Sequence, residues 1–306
     1  MTPSPDQVLA LLRELGDEVR GAVGASRHGD MSAVAGRTTA DTIYAIDRVA
    51  DDTLEDWFRQ RWTDVEVVTE GLDEPLVLGD PQWTVVVDAI DGTRGLMYDK
   101  RPAWTLAAAA PHGGTLRDVQ VAVMTELPTA KQVLADQVGA VRGRGLDARR
   151  VDLRTGEVRP LPLVPSSART LDHGWAQVAK FFPPGKVELA RLEGELFARL
   201  GVHEVFDDQY VSSGGQLYEL LSGRDRFVAD LRPLVTDDGL ACHPYDVCTA
   251  MLLQEAGGVV TDPWGDPLDC PLDSTTPVAW VGYANAELAR SIGPVLAGVL
   301  RSHGHG

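Results

Sequence analysis

Val85-Val86-Val87-Asp88-Ala89-Ile90-Asp91-Gly92-Thr93 is the stretch on which the reading of this chain turns. The valine run following Trp83 and Thr84 reads as a buried strand that ends at Asp88. A second acid comes three residues later, with Gly and Thr behind it. A lone acid at a strand end can be structural, capping the next turn. Two acids ahead of Gly-Thr carry more chemistry. Gly92 lets the backbone approach a ligand closely, and successive N–H groups there can form an anion-binding nest. The hard oxygens of Asp88, Asp91 and the Ile90 carbonyl suit Mg²⁺. Glu70 closes the preceding strand, Asp47 lies on a predicted helix, and Asp246 opens a helix far along the chain behind His243-Pro244-Tyr245.

Working outward, Ser4-Pro5-Asp6 starts a helix with a capping serine, a proline at the first position and an acid at the positive end of the dipole. Its apolar spacing runs to Val23, with a stop expected at Gly24 and a mobile loop over 25–40. A second helix is expected from near Asp41. The period then changes to strands at 65–70, 83–88, 104–110, 119–125, 132–135 and 140–142. Helices followed by a run of strands predict an α+β first half on a largely antiparallel sheet. Gly and Pro between 143 and 170 place a domain junction there, giving units 1–150 and 151–306. Six arginines from Arg142 to Arg159 read as a solvated linker, with a phosphate-binding patch as the alternative. The second half alternates helix and strand, in α/β order.

The 306 residues suggest two domains. With 45 acidic against 28 basic side chains, the net charge is −17. That excludes extended polyanions such as nucleic acids and anionic membranes, which need a basic footprint. The first residues carry no signal-peptide pattern and no apolar run reaches a membrane span. Three cysteines without close pairing read as reduced thiols of a cytoplasmic protein. A zinc site from Cys242, His243, Cys248 and Cys270 has spacing that fits no common knuckle. His303-Gly304-His305-Gly306 reads as a frayed tail.

Asp88-Ala-Ile-Asp-Gly-Thr93 resembles the DPIDGT motif of the inositol monophosphatase superfamily. The stretch from Tyr245-Asp246 through Glu255-Ala-Gly-Gly258 to Asp262-Pro-Trp-Gly265 resembles its second signature. Asp41 to Asp47 and Thr69-Glu70 resemble two further family stretches, all in the family's order. The resemblance implies a layered α-β-α-β-α sandwich with the site between two domains. It implies that Glu70, Asp88, the Ile90 carbonyl, Asp91 and Asp246 ligate two or three Mg²⁺ ions. Thr93, oriented by Asp47 and with Glu70 nearby, would activate the attacking water. The N–H groups of Gly92 and Thr93 would hold a substrate phosphate. Homodimers and inhibition by Li⁺ are further implications of the resemblance.

Several positions depart from the family pattern: Ala89 replaces the proline, Gly71 the second acid of a Glu-Glu pair, Tyr44 a threonine and Tyr245 a tryptophan. Gly239, flanked by Asp237 and Asp238, stands where inositol-specific members carry a glutamate. Arg94-Gly95-Leu96 is closer to the bisphosphate nucleotidases. Ser213-Gly214-Gly215 opens a helix that could bond a hydroxylated substrate. The expected activity is hydrolysis of a small sugar or polyol phosphate by Mg²⁺-activated water. Arg94, Lys100 and Arg101 motivate a bisphosphatase as the alternative. A catalytically weak metal-binding regulator is the reading from another class, motivated by Gly71 and Ala89.

Overall fold

The structure is a computed structural model that describes residues 2–26, 34–37, 42–236 and 240–305. In chain order it comprises α1 (Pro5–Ser26), β1 (Val34–Arg37), β2 (Thr42–Tyr44), α2 (Ala45–Arg61), β3 (Val65–Thr69), β4 (Leu76–Leu78), β5 (Trp83–Asp91), α3 (Thr93–Met97) and β6 (Ala103–Pro111). Then follow β7 (Val121–Leu127), β8 (Leu134–Val141), β9 (Leu146–Asp152), β10 (Val158–Pro160), β11 (Gly174–Val178), α4 (Lys186–Leu200), β12 (Val205–Phe206) and α5 (Ser213–Leu221). The chain closes with β13 (Asp225–Asp230), α6 (Arg232–Val235), α7 (Pro244–Val247), α8 (Ala250–Glu255), β14 (Val259–Thr261), β15 (Trp280–Tyr283) and α9 (Ala286–Ser302).

Two larger sheets organise these elements. The first has eight strands in the order β10-β9-β8-β7-β6-β5-β3-β4. It is antiparallel except for the parallel β3–β5 pair. The second has five strands, β12-β11-β13-β15-β14. Strand parity sorts the first sheet's side chains between two cores. Val85, Val87, Ala107, Ala109, Val121 and Val123 pack with α1 and α2. Val86, Leu106, Ala108, Ala122 and Met124 face the other way, into a core shared with α5, α8, the second sheet, α4 and α9. The result is a helix–sheet–helix–sheet–helix stack, as the resemblance implied. Eight of the nine residues of α5 are buried, as befits a helix between two sheets. Gly16 lets α1 lie directly on β7, because a Cβ there would sit 2.1 Å from Thr125 Oγ1.

Several boundaries differ from the expectations. α1 continues past Gly24 to Ser26. Residues 27–33 and 38–41, including Asp41, lie outside the described residues, but 34–37 form a strand and α2 begins at Ala45. The expected strands at 132–135 and 140–142 are one, β8. The expected irregular junction contains β9 and β10, which extend the first sheet, so a division at 150/151 falls inside β9. Arg144, Arg149, Arg150, Arg154 and Arg159 each pair with an acid, and Arg142 donates to the Val119 carbonyl. The arginine stretch is therefore neither a linker nor a patch awaiting an anion.

His303 does not belong to a frayed tail. Its Nδ1 lies 2.7 Å from Glu188 and its Nε2 2.7 Å from Glu195, tying the end of α9 to α4. The three cysteines are buried and free. No described helix is long and apolar enough to cross a membrane.

Candidate active site

The odd spacing of Asp88 and Asp91 would send their side chains to opposite faces of a regular strand. β5 solves this with a bulge. Asp88 pairs with Leu106 and Asp91 with Trp104, so two residues of β5 stand against Thr105 alone. Thr105 Oγ1 donates to the Ala89 carbonyl at 2.9 Å inside the bulge. The strand thus runs through the second acid instead of ending at Asp88.

Asp246 arrives from the other half of the chain, in the short helix α7, which packs against β5. Its Oδ2 accepts the His243 N–H at 2.6 Å, and Pro244 at the first helical position costs no hydrogen bond. Ligand atoms of Asp88, Asp91 and Asp246 all lie within 4.8 Å of one another. Among the described residues this is the one group of three or more metal-ligating side chains gathered so closely, so the Cys242–His243–Cys248–Cys270 zinc site does not form.

Asp91 is held most tightly. Ser212 Oγ donates to its Oδ2 at 2.8 Å, the Ser213 N–H to Oδ1 at 3.2 Å, and the Gly214 N–H to Oδ2. Ser212 also caps α5 by accepting the Gly215 N–H at 2.9 Å. The opening of α5 is thus spent on Asp91. Ser213 lines the cleft, but the Ser213 and Gly214 N–H groups hold the Asp91 carboxylate and the Gly215 N–H holds the Ser212 hydroxyl. Gly214 is needed for this approach, since a Cβ would lie 2.8 Å from Asp91 Oδ2 and 2.5 Å from Leu106. Ser212 was missed from the sequence; its place ahead of Gly-Gly is an N-cap pattern, but nothing local indicates that it faces Asp91.

Thr93 opens α3 behind Gly92, whose φ of +97° favours glycine. Thr93 Oγ1 lies 2.8 Å from Asp47 Oδ1 and 2.9 Å from the Ile90 carbonyl. Asp47 Oδ2 accepts the Tyr44 N–H at 2.8 Å at the start of α2, which leaves its other oxygen for Thr93. Glu70, Ile90, Gly92, Thr93 and Arg94 line the same cleft. Glu70 is outside the close three-acid group, although its charge reaches Asp88. Gly214 and Gly215 are not at the cleft surface.

Phe181, Phe182 and Arg232 also line the cleft. Arg232 forks onto Asp230 and lies over the Phe181 ring, 4.6 Å from its centroid. Arg94 lies 5.5 Å from the Phe182 centroid. Arg101 turns away to Asp208 at 2.8 Å and lies over Tyr210. Neither Arg101 nor Lys100 lines the cleft. Gly239, Asp237 and Asp238 lie outside the described residues.

The electrostatics suit a cation. Burial, then Glu70, Asp91 and Asp246, push Asp88 well above the usual carboxylate range. Burial pushes Asp246 up to about 8, with Asp91 adding to it. Burial also pushes Asp91 up to about 6, against the bonds from Ser212, Gly214 and Ser213. Three acids this close, all raised by burial and Asp88 and Asp246 also by neighbouring acids, fit a hard divalent cation with oxygen ligands. Near them, burial and then Asp47, Asp52 and Glu55 push Asp51 up to about 7.

No family model matches the sequence, and no curated protein matches it. Solved structures do share the fold. The chain superposes on the SuhB extragenic suppressor protein of Bartonella henselae with a TM-score of 0.69 at 15% identity, over 94% of this chain and 98% of that one. For an inositol monophosphatase of Thermotoga maritima the values are 0.67 and 17%, over 96% and 98%. For fructose-1,6-bisphosphatase of Leishmania major they are 0.73 and 13%, over 99% and 96%. The chain has the inositol monophosphatase fold.

Proposed function

We propose that this chain, built on the inositol monophosphatase fold, is a Mg²⁺-dependent phosphomonoesterase that releases phosphate from a small sugar or polyol phosphate. The observation that carries the reading is the convergence of Asp88, Asp91 and Asp246, from two distant segments, at one cleft. Structural neighbours named as phosphatases support it.

Asp88, Asp91 and Asp246 would hold the metal, with Glu70 and a second lone pair of the Ile90 carbonyl completing the set for two or three ions. Bound there, Mg²⁺ would neutralise phosphoryl oxygens and acidify water. The chain's own part is positioning and proton transfer. Thr93 Oγ accepts a proton from the attacking water and passes its own to Asp47, whose other oxygen is fixed by Tyr44. The water oxygen attacks phosphorus. The ester P–O bond breaks, and the leaving oxygen keeps the electron pair and takes a proton from solvent. Gly92 and Thr93 border the place where the phosphate would lie. Inhibition by Li⁺ at a metal position, a homodimeric state and a cytoplasmic location with reduced cysteines belong to the same proposal.

Arg94 favours one second reading, a bisphosphatase, because it lines the cleft. Lys100 and Arg101 no longer support it. The test is phosphate release from a panel of sugar phosphates, inositol phosphates, ketose bisphosphates and 3′-phosphonucleotides, with Mg²⁺ and with EDTA. Release from monophosphates that EDTA abolishes supports the main reading. A strong preference for bisphosphates selects the second. No release from any compound, with the metal still bound, leaves the regulatory reading.

A further inference from the structure

Asp47 and Asp51 stand four residues apart on α2 and so share a face. Asp47 reaches Thr93. One turn further, the carboxyl of Asp51 lies against the turn that follows β3. A Cβ built on Gly71 would sit 2.5 Å from Asp51 Cγ, 2.5 Å from Oδ2 and 2.7 Å from Oδ1. Gly71 is not among the glycines with positive φ, so space and not backbone conformation demands it. Gly71 directly follows Glu70, which lines the cleft. The 2.5 Å from that Cβ position to Asp51 Cγ also matches the separation of about 2.5 Å between Cβ and the carboxyl carbon of a glutamate. The Asp51 carboxyl therefore lies as far from the position 71 Cβ as a glutamate's own carboxyl carbon would, in the space that any side chain there would need.

We propose that Asp51 is a positioning residue of the site: seated on the bare Cα of Gly71, it fixes the Glu70–Gly71 turn against α2 and delivers from the helix a carboxyl that position 71 does not carry. The inference rests on the metal-dependent reading above. Its physical content is that Glu70 meets the metal from a turn whose position depends on Asp51, with a further acid adding to the field that attracts the cation. Loss of Asp51 and addition of any side chain at position 71 then do the same damage, since the second expels the first.

The test compares the parent with Asp51→Ala, Asp51→Asn, Gly71→Ala, Asp51→Ala/Gly71→Ala and Asp51→Ala/Gly71→Glu. Mn²⁺ binding is read by calorimetry, the Mg²⁺ midpoint by phosphate release, and folding by thermal unfolding without metal. Asp51→Ala and Gly71→Ala should each weaken Mn²⁺ binding and raise the Mg²⁺ midpoint about tenfold, as loss of a supporting partner does. The double Ala variant should be no worse than either single one, because both remove the same contact. Asp51→Ala/Gly71→Glu should recover to within about threefold of the parent. Mn²⁺ binding by folded Asp51→Ala or Asp51→Asn within about twofold of the parent overturns the proposal, as does additive loss in the double Ala variant. A parent that binds Mn²⁺ but releases no phosphate sinks the phosphatase reading alone, since the binding comparison still judges Asp51.

Discussion

Ser212 Oγ lies 2.8 Å from Asp91 Oδ2, across 121 positions of sequence. One hydroxyl thus caps α5 and orients an acid at the end of β5. Ser212→Ala removes both bonds. Loss of the cap and of a bond to a carboxylate should destabilise the protein by about 2 kcal/mol. Thermal unfolding of the metal-free protein reads this, and a melting temperature equal to the parent's would show that the hydroxyl does neither job.

Gly92 stands at φ +97°, and a Cβ there would lie 3.0 Å from Ser212 Cβ. Gly92→Ala combines left-handed strain with that close approach. A loss of about 1–2 kcal/mol is expected. Phosphate release should fall further than the folded fraction does. Measuring both on one preparation separates a damaged site from a damaged fold.

Much of this site was legible because the acids sit in short local patterns: Asp88 and Asp91 around Ala-Ile, Asp246 behind a proline. The strands of the first sheet followed from the valine-rich runs, whereas its division between two cores is read from the structure. What escaped has a nonlocal cause. The bulge at Ala89-Ile90 depends on Thr105 in the neighbouring strand, so two acids with odd spacing gave no local sign of sharing a face. The start of α5 looked like a place for a ligand because Asp91, which occupies it, is distant in sequence. β9 and β10 carry arginines and border glycines, which read as a linker until their partners Asp17, Asp136 and Glu157 are placed beside them. The seat of Asp51 on Gly71 joins a helix to a turn that no periodicity connects.

Thr93 and Asp47 make a prediction about proton handling. Thr93→Val keeps the shape and removes the hydroxyl, and should lower kcat by about a hundredfold with KM little changed. Thr93→Ser should retain most of the rate. Full activity in Thr93→Val beside a loss in Thr93→Ser would point to packing of the methyl group instead of the hydroxyl 2.8 Å from Asp47.

The buried acids also set a pH dependence. Asp91 and Asp246 hold protons up to about 6 and about 8 in the folded chain. Unfolded, each would release its proton near pH 4. Between those limits the folded state binds more protons, so metal-free stability is fullest below about pH 4 from these groups and declines as pH rises to about 8. Saturating Mg²⁺ should remove most of that decline. Melting curves from pH 5 to 8, with and without Mg²⁺, test it; parallel profiles would contradict it.

The most direct test of the central claim is Asp91→Asn, which keeps the side chain's size and removes its charge. The measurement pairs Mg²⁺-dependent phosphate release with the Mg²⁺-induced rise in melting temperature. If Asp88, Asp91 and Asp246 form the metal centre of a phosphatase, release falls at least about a hundredfold and the Mg²⁺-induced rise disappears. The metal-free protein loses some stability, because the new amide NH2 faces either the Ser213 N–H or the Gly214 N–H, so the Mg²⁺-induced rise is read against each variant's own metal-free melting temperature. Full phosphate release by Asp91→Asn with an unchanged Mg²⁺ midpoint would contradict the account.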